Sequence, residues 1–288
     1  MKFQKYAVAY LDILGFSKFV EEAENSQDKL DALGRLFNEV IPGEIATEGR
    51  NSAYPADLSL KCLSCSDSMV VSAPISDHAS YPALIAVSIK AIQIAHAILD
   101  MGFLVRGALA VGNVYRTDSN ILGTGYQEAV NGEKAARDPQ IVLTDSAKQE
   151  LDKLISDTNY PRYAIFAQNE LGQVVLDSIY PDATYMPTKS VLVDEYYRRY
   201  RETIVENLSH EVLRAREKWL WFAGFFNANV RYFRSMVGNS ITEIDTELPS
   251  ITMNYLNPPA TDQRWLDDFK APGATVIVKA NPNQPDDP

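Results

Sequence analysis

Between residues 5 and 144, short apolar runs alternate with longer helical ones in an order that few folds accept. Residues 6–11 read as a buried strand. Residues 18–40 read as a helix, with Leu30, Leu33, Leu36, Phe37 and Val40 at helical spacing and Pro42-Gly43 placed to stop it. After a loop over 49–57, the apolar runs 58–65 and 69–73 flank Ser66-Asp67-Ser68, the pattern of a tight hairpin. Residues 81–101 read as a buried helix, and 104–111 as a strand ended by Gly112-Asn113. Helix is expected again over 126–136, strand over 139–144, and a short capped helix over 145–154. Strand, helix, strand, strand, helix, strand is the ferredoxin-like βαββαβ unit, here with additions, and it makes the chain α+β.

The pattern weakens past residue 155. Residues 164–166 and 174–176 read as edge strands, 194–218 as a charged helix, and 219–234 as an aromatic helix of the core or of a subunit contact. The expected division is a catalytic domain over 1–155, a C-terminal helical/β extension over 156–280 that packs on or completes it, and a disordered Pro/Asp tail over 281–288.

A formal charge of −11 over 288 residues disfavours a general nucleic-acid binder. The apolar runs 83–99 and 219–226 are broken by polar residues or short, so no membrane span is expected. Cys62 and Cys65 lack a second pair to complete a zinc site, and they read as buried or half-buried free thiols. Few cysteines and no signal-like opening segment lead us to expect the cytoplasm. His78, His96 and His210 have no metal-ligand spacing.

Two acids lie in apolar strand settings that disfavour Asp. Asp12 ends the first strand before Gly15-Phe16-Ser17 and a helix start, and Asp67 sits in the hairpin. Either alone reads equally as a turn or cap residue. The βαββαβ topology sets the first strand's end beside the hairpin, where the pair makes a site for Mg²⁺ or Mn²⁺. Two such ions suit a triphosphate.

On these residues the chain resembles the class III nucleotidyl cyclases. That family's Asp-Ile-x-Gly-Phe-Thr/Ser is matched by Asp12-Ile13-Leu14-Gly15-Phe16-Ser17, and its second metal acid by Ser66-Asp67-Ser68-Met69-Val70-Val71. Its Arg-Val-Gly-Ile-x-x-Gly strand is matched by residues 106–112, and its Ala-Val-Asn helix by Ala129-Val130-Asn131. The resemblance implies a metal site of Asp12, Asp67 and the Ile13 carbonyl, with two ions per site. It also implies phosphate binding by the amides of Gly15, Phe16 and Ser17, ribose orientation by Asn131, and a homodimer with sites between subunits. Metal acids would come from one chain and the Asn131 helix from the other.

The family's transition-state Arg follows its Asn by four positions. Matching on Asn131 leaves Ala135 there, whereas matching on Arg137 puts Glu133 in place of the Asn. Arg137 is the candidate phosphate cation, or alternatively a helix C-terminal charge. Arg106 is a nucleotide contact or a structural strand residue. The positions that read a purine are Leu63 and, by register, Thr124 or Tyr126; none suits a purine edge. Residues 123–143 and the aromatic stretch 218–227 are similar to the pyrimidine cyclases of bacterial antiphage (Pycsar) systems. That likeness implies UTP, or else CTP, as substrate, cyclic UMP or cyclic CMP as product, and a downstream effector responding to it. A catalytically inactive nucleotide-sensing or dimerisation module stands as the alternative.

Overall fold

The structure, a computed structural model, describes residues 2–41, 58–77, 79, 81–156, 165–181, 193–246 and 251–256. The expectations for Pro42-Gly43, the 49–57 loop, Ala164, His78 and the 281–288 tail fall outside those residues. The first strand, β1 (Gln4–Leu14), is followed by helices α1 (Phe16–Ala23) and α2 (Gln27–Arg35). The hairpin β2 (Lys61–Cys65) and β3 (Ser68–Pro74) comes next, then α3 (Ala83–Asp100) and β4 (Leu104–Arg116). β1 pairs antiparallel with both β3 and β4, and β2 pairs with β3. The resulting order β2-β3-β1-β4 is that of the ferredoxin-like unit.

The chain then runs through β5 (Ile121–Leu122), α4 (Thr124–Ala135), β6 (Ile141–Leu143) and α5 (Asp145–Ser156). Strands β7 (Phe166–Gln168), β8 (Val174–Leu176) and β9 (Asn254–Tyr255) extend the same sheet to the order β2-β3-β1-β4-β6-β8-β7-β9, with β5 on β4. Helices α6 (Val193–Asn207), α7 (Leu213–Tyr232) and the short α8 (Arg234–Val237) lie between β8 and β9 in sequence.

Strand alternation divides β1 between two faces. Ala7, Ala9, Leu11 and Ile13 enter the large core, which α3 fills with Leu84, Ile85, Val87, Ile92 and Ile98. Tyr6, Val8 and Tyr10 face the other side, in a smaller cluster with Val70, Ala110, Val114 and Ala129 of α4. Asp12 has the parity of this second set. α3 is long and apolar enough to cross a membrane by length and composition, but 83% of that stretch is buried within the fold.

Four expectations need correction. The helix over 18–40 is broken: α1 ends at Ala23, and α2 begins after Ser26, which is extended at φ −141°. Asn25, a turn former, donates its side-chain amide to the Glu21 carbonyl at 3.3 Å and supplies the stop. A π turn, Leu36–Val40, then follows α2. Second, Gly112-Asn113 does not end β4, which runs to Arg116. Gly112 is there because α4 crosses it: a Cβ at Gly112 would sit 2.7 Å from the Gly125 Cα. Third, neither expected edge strand is one: β8 lies between β6 and β7 and is buried throughout, and β7 pairs with both β8 and β9. Fourth, the charged and aromatic segments are not two helices meeting at residue 218. The break falls at 208–212, and α7 carries both the charged residues 213–218 and the aromatic ones.

The contact of α4 with β4 gives a direct test. Gly112→Val would drive a branched side chain into the Gly125 backbone, which cannot yield without lifting α4. The expected cost is about 3 kcal/mol, or roughly 6–12 °C in Tm. A thermal melt within 2 °C of wild type, at the precision such scans reach for a chain this size, would show that α4 is not seated on β4 as described.

Candidate active site

The site grows from the register of three strands. Asp12 stands opposite Ser68 on β3 and opposite Arg106 on β4. Cross-strand partners share a face, so the Asp12 carboxylate and the Arg106 guanidinium point the same way. The hairpin turn is two residues long, with Ser66 at φ 57°, and it delivers Asp67 beside the end of β1. The Ile13 amide donates to the Asp67 carbonyl at 3.0 Å and fastens the turn to the strand. The Tyr10 hydroxyl lies 2.7 Å from Ser68 Oγ, one strand position away.

At the end of β1 the chain reverses into α1 through Gly15, at φ +84°. A side chain there would meet no neighbour but would be strained by the left-handed backbone. No side chain caps the first amides of α1, and no acid lies in its first turn. Phe16 packs into the core while Gly15 and Ser17 are exposed. The helix start is thus held by an apolar anchor and offers free N–H groups to an anion.

α4 supplies the group that sequence reading did not place in the site. Its sheet-facing residues are Gly125, Ala129, Gly132, Glu133 and Ala136, lying on the small residues Ala108, Ala110 and Gly112 of β4. A Cβ at Gly132 would stand 2.7 Å from the Ala108 Cβ, so the helix lies close to the strand. That closeness brings the buried Glu133 to Arg106, whose Nε donates to Glu133 Oε1 at 2.6 Å and whose second nitrogen pairs with the same oxygen. Arg106 stands 3.9 Å from Asp12 Oδ2, so its charge is committed mainly to Glu133. The signal was legible as a lone charge on the inner face of a small-residue helix.

Two carboxylates, Asp12 and Glu133, therefore flank one well-paired cation, and Asp67 lies within electrostatic reach of Asp12. Burial, then the charges of Glu133 and Asp67, push the Asp12 carboxyl up to about 6, against the opposing pull of Arg106 and of Lys218 on α7. Among the described residues no three His, Cys, Asp or Glu side chains converge as a ligand set. The donors are two carboxylates, since Glu133 is turned to Arg106. Two carboxylates short of positive charge fit a hard divalent ion that completes its shell with other oxygen donors and water.

The other expected site residues are placed as follows. Leu63 and Tyr126 pack on the same small cluster as Tyr10, whose ring meets that of Tyr126 edge-on at 6.2 Å. Thr124 is exposed at the first turn of α4. Asn131 is exposed on the outer side of α4, and Arg137 is exposed beyond its end. Asp138 is the residue on which Arg137 acts electrostatically; Arg137 does not figure among the groups acting on Asp12. Within one chain the structure thus brings together Asp12, Asp67, Arg106 and the Gly15–Ser17 turn, and does not bring Asn131 or Arg137 to them. Cys62 is a free thiol that burial pushes up to about 11. His96 is a buried core residue.

No protein-family model matches the chain, and no curated protein matches it. Among solved structures it is similar to the monomeric guanylyl cyclase domain of the RhoGC fusion protein from the aquatic fungus Blastocladiella emersonii. Identity is 14% and TM-score 0.37, over 60% of this chain and 94% of that one. An adenylate/guanylate cyclase/hydrolase from Silicibacter pomeroyi matches at 17% identity and TM-score 0.36, over 61% and 95%. A class III adenylyl cyclase-like ATP-binding protein from Pseudomonas aeruginosa matches at 14% identity and TM-score 0.35, over 55% and 37%.

Proposed function

We propose that this protein is a nucleotidyl cyclase that converts UTP to 3′,5′-cyclic UMP and pyrophosphate in a homodimer. The observation that carries the reading is the register that sets Asp12 opposite Arg106 on one face, with Asp67 of the hairpin within electrostatic reach of Asp12, beside the uncapped start of α1. Asp12 and Asp67, with the Ile13 carbonyl, would hold two Mn²⁺ or Mg²⁺ ions, which would supply Lewis acidity toward the triphosphate and lower the pKa of the ribose 3′-hydroxyl. The amides of Gly15, Phe16 and Ser17 bind the terminal phosphates. Arg106 faces the same space. It is anchored by Glu133 and so keeps a fixed orientation toward an incoming phosphate. Asn131, exposed on α4, orients the ribose in the neighbouring subunit's site, and the exposed Arg137 reaches the transferring phosphate there.

Support for a pyrimidine is the chemistry of the positions expected to read the base. Leu63 offers no hydrogen bond, Thr124 offers a single exposed hydroxyl, and Tyr126 is packed against Tyr10, so the residues do not supply the pair of groups that reads a purine in that family. UTP is placed before CTP on the resemblance to the antiphage pyrimidine cyclases, and the same resemblance supports a role as an alarm signal read by an effector. Incubation with each of the four NTPs and Mn²⁺, with products resolved by mass, is expected to give cyclic UMP. Asp67→Ala is expected to remove it, by a factor of about 10³ or more. No product from any NTP overturns the reading.

A second reading, a nucleotide-binding module without turnover, is favoured by one observation: Arg106 is already taken up by Glu133. It predicts saturable triphosphate binding with no product.

A further inference from the structure

We propose that Ser68, backed by the Tyr10 hydroxyl, is the side-chain donor that holds a phosphate oxygen of the substrate. This rests on the cyclase reading above and adds to it a pair of residues that the reading leaves unused.

Register places the hydroxyl. Ser68 is the β3 residue directly opposite Asp12, just as Arg106 is the β4 residue opposite it. Cross-strand partners share a face, with Cα atoms about 4.5–5.5 Å apart. Ser68, Asp12 and Arg106 therefore form one row across three strands, with a hydroxyl, a carboxylate and a guanidinium on the same side. The bond from the Ile13 amide to the carbonyl of Asp67 at 3.0 Å fixes the backbone just before Ser68 against β1. Ser68 itself is half-buried.

The second hydroxyl comes from the next row. Tyr10 lies two residues before Asp12 on β1 and so has the same parity. Its hydroxyl is 2.7 Å from Ser68 Oγ. Its ring packs in the small cluster with Val70 of β3 and meets the Tyr126 ring of α4 edge-on at 6.2 Å. Strand and helix thus hold the ring from two sides, and the ring holds its hydroxyl against Ser68.

Donor counting then identifies the ligand. The phenol is the more acidic of the two hydroxyls and donates, so Ser68 Oγ accepts and keeps its own hydrogen. Among the described residues the Ser68 side chain makes no hydrogen bond other than this one. The cation of the row is engaged elsewhere, since Arg106 gives Nε and a terminal nitrogen to Glu133. A triphosphate entering the row needs donors that are not already engaged. The Ser68 hydroxyl is one, and donation from Tyr10 polarises it toward an anionic oxygen.

Calorimetry on the full-length protein tests this, with the Mn²⁺–tripolyphosphate complex and with Mn²⁺ alone. Ser68→Ala is expected to weaken binding of the complex about tenfold and to leave Mn²⁺ affinity within about twofold of wild type. Ser68→Thr keeps a hydroxyl on a residue that suits a strand, and it is expected to recover most of the loss. Tyr10 is a positioning residue that acts through Ser68. Tyr10→Phe is expected to weaken the complex about threefold in the wild type and to add nothing in Ser68→Ala. Binding of the complex by Ser68→Ala within about twofold of wild type overturns the proposal. So does an equal loss of Mn²⁺ affinity, which would make Ser68 a metal ligand. Equal losses from Tyr10→Phe in both backgrounds overturn the role of Tyr10. None of these measurements needs turnover. Wild type that binds the complex but converts no NTP overturns the cyclase reading alone, and wild type that does not bind the complex overturns the proposal.

Discussion

Asp12→Asn is expected to abolish turnover, by about 10³-fold or more, and to make the metal-free protein more stable at neutral pH. The two effects share one cause. Asp12 is a half-buried carboxylate beside Glu133 and Asp67, so its charge is disfavoured and its carboxyl is pushed up to about 6 in the folded chain. The ordinary value, 3.8, applies when the chain is unfolded. The folded state therefore holds a proton that the unfolded state releases, and this group's contribution to stability falls as pH rises from about 4 to about 6. Above that window the ionised cluster carries the full penalty, and the amide removes it. With solvent contact discounted, the gain is about 1–2 kcal/mol at pH 7.5, or roughly 2–8 °C, shrinking toward zero near pH 4. Metal and proton compete for the same carboxylate, so Mn²⁺ affinity of the wild type should rise with pH through 6 and then level off. Thermal melts with and without Mn²⁺ at pH 4.5, 6 and 7.5 check this. An Asp12→Asn protein that melts below wild type at pH 7.5 without metal would mean that the three carboxylates do not repel as described.

The second large effect lies far from that site. Asp177 is fully buried, and Asn229 Nδ2 at 2.6 Å and the Tyr255 hydroxyl at 2.9 Å both donate to its Oδ2. The Ile179 amide donates to Oδ1 at 3.2 Å. Tyr197 joins through the Asn229 side-chain oxygen at 2.6 Å. One carboxylate thereby ties the chain just after β8 to α6, α7 and β9. Asp177→Leu would remove the acceptor of three buried hydrogen bonds, and the expected loss is about 3–5 kcal/mol.

Asp177→Asn keeps the shape and tests the charge. Burial outweighs the three hydrogen bonds and pushes the carboxyl up to about 7, so stability again falls as pH rises from about 4 through 7. Wild type should lose up to about 1.4 kcal/mol per pH unit from this group in that window, and the Asn variant should not. The buried His96 works the other way. Its Nε2 faces the Tyr180 carbonyl at 3.1 Å, so that nitrogen carries the proton, and Nδ1 accepts from the Tyr200 hydroxyl at 2.7 Å. Burial lowers its pKa to about 4, so its contribution falls as pH drops from 6.5 to 4. Urea titrations of wild type and Asp177→Asn at pH 5 and pH 8 isolate the Asp177 part. A difference between the two proteins that does not change with pH would refute the charge argument.

What could be read from the sequence was periodic or local. Ala7, Ala9, Leu11 and Ile13 alternate with Tyr6, Val8 and Tyr10, and that parity alone puts Asp12 on the face away from the main core. The order of strands and helices specified the βαββαβ unit, and with it the meeting of Asp12 and Asp67, because a hairpin next to β1 has one place to put its turn. The Gly15 turn was legible for the same reason: a strand end, a glycine and a helix start are adjacent residues. Gly112 misled because sequence shows a missing side chain without showing what occupies the space. It read as a stop, whereas Gly125 fills that space from another element.

The charge balance of the site was decided by tertiary structure. Glu133 reaches Arg106 only because Gly132 lets α4 lie against Ala108, and Lys218 acts electrostatically on Asp12 from a helix more than two hundred residues beyond it. Periodicity reports which face of an element is buried. It does not report how closely two buried faces approach or which charges that approach brings together. The sequence therefore determined the fold unit and the two acids, and the packing of α4 and α7 determined what surrounds them.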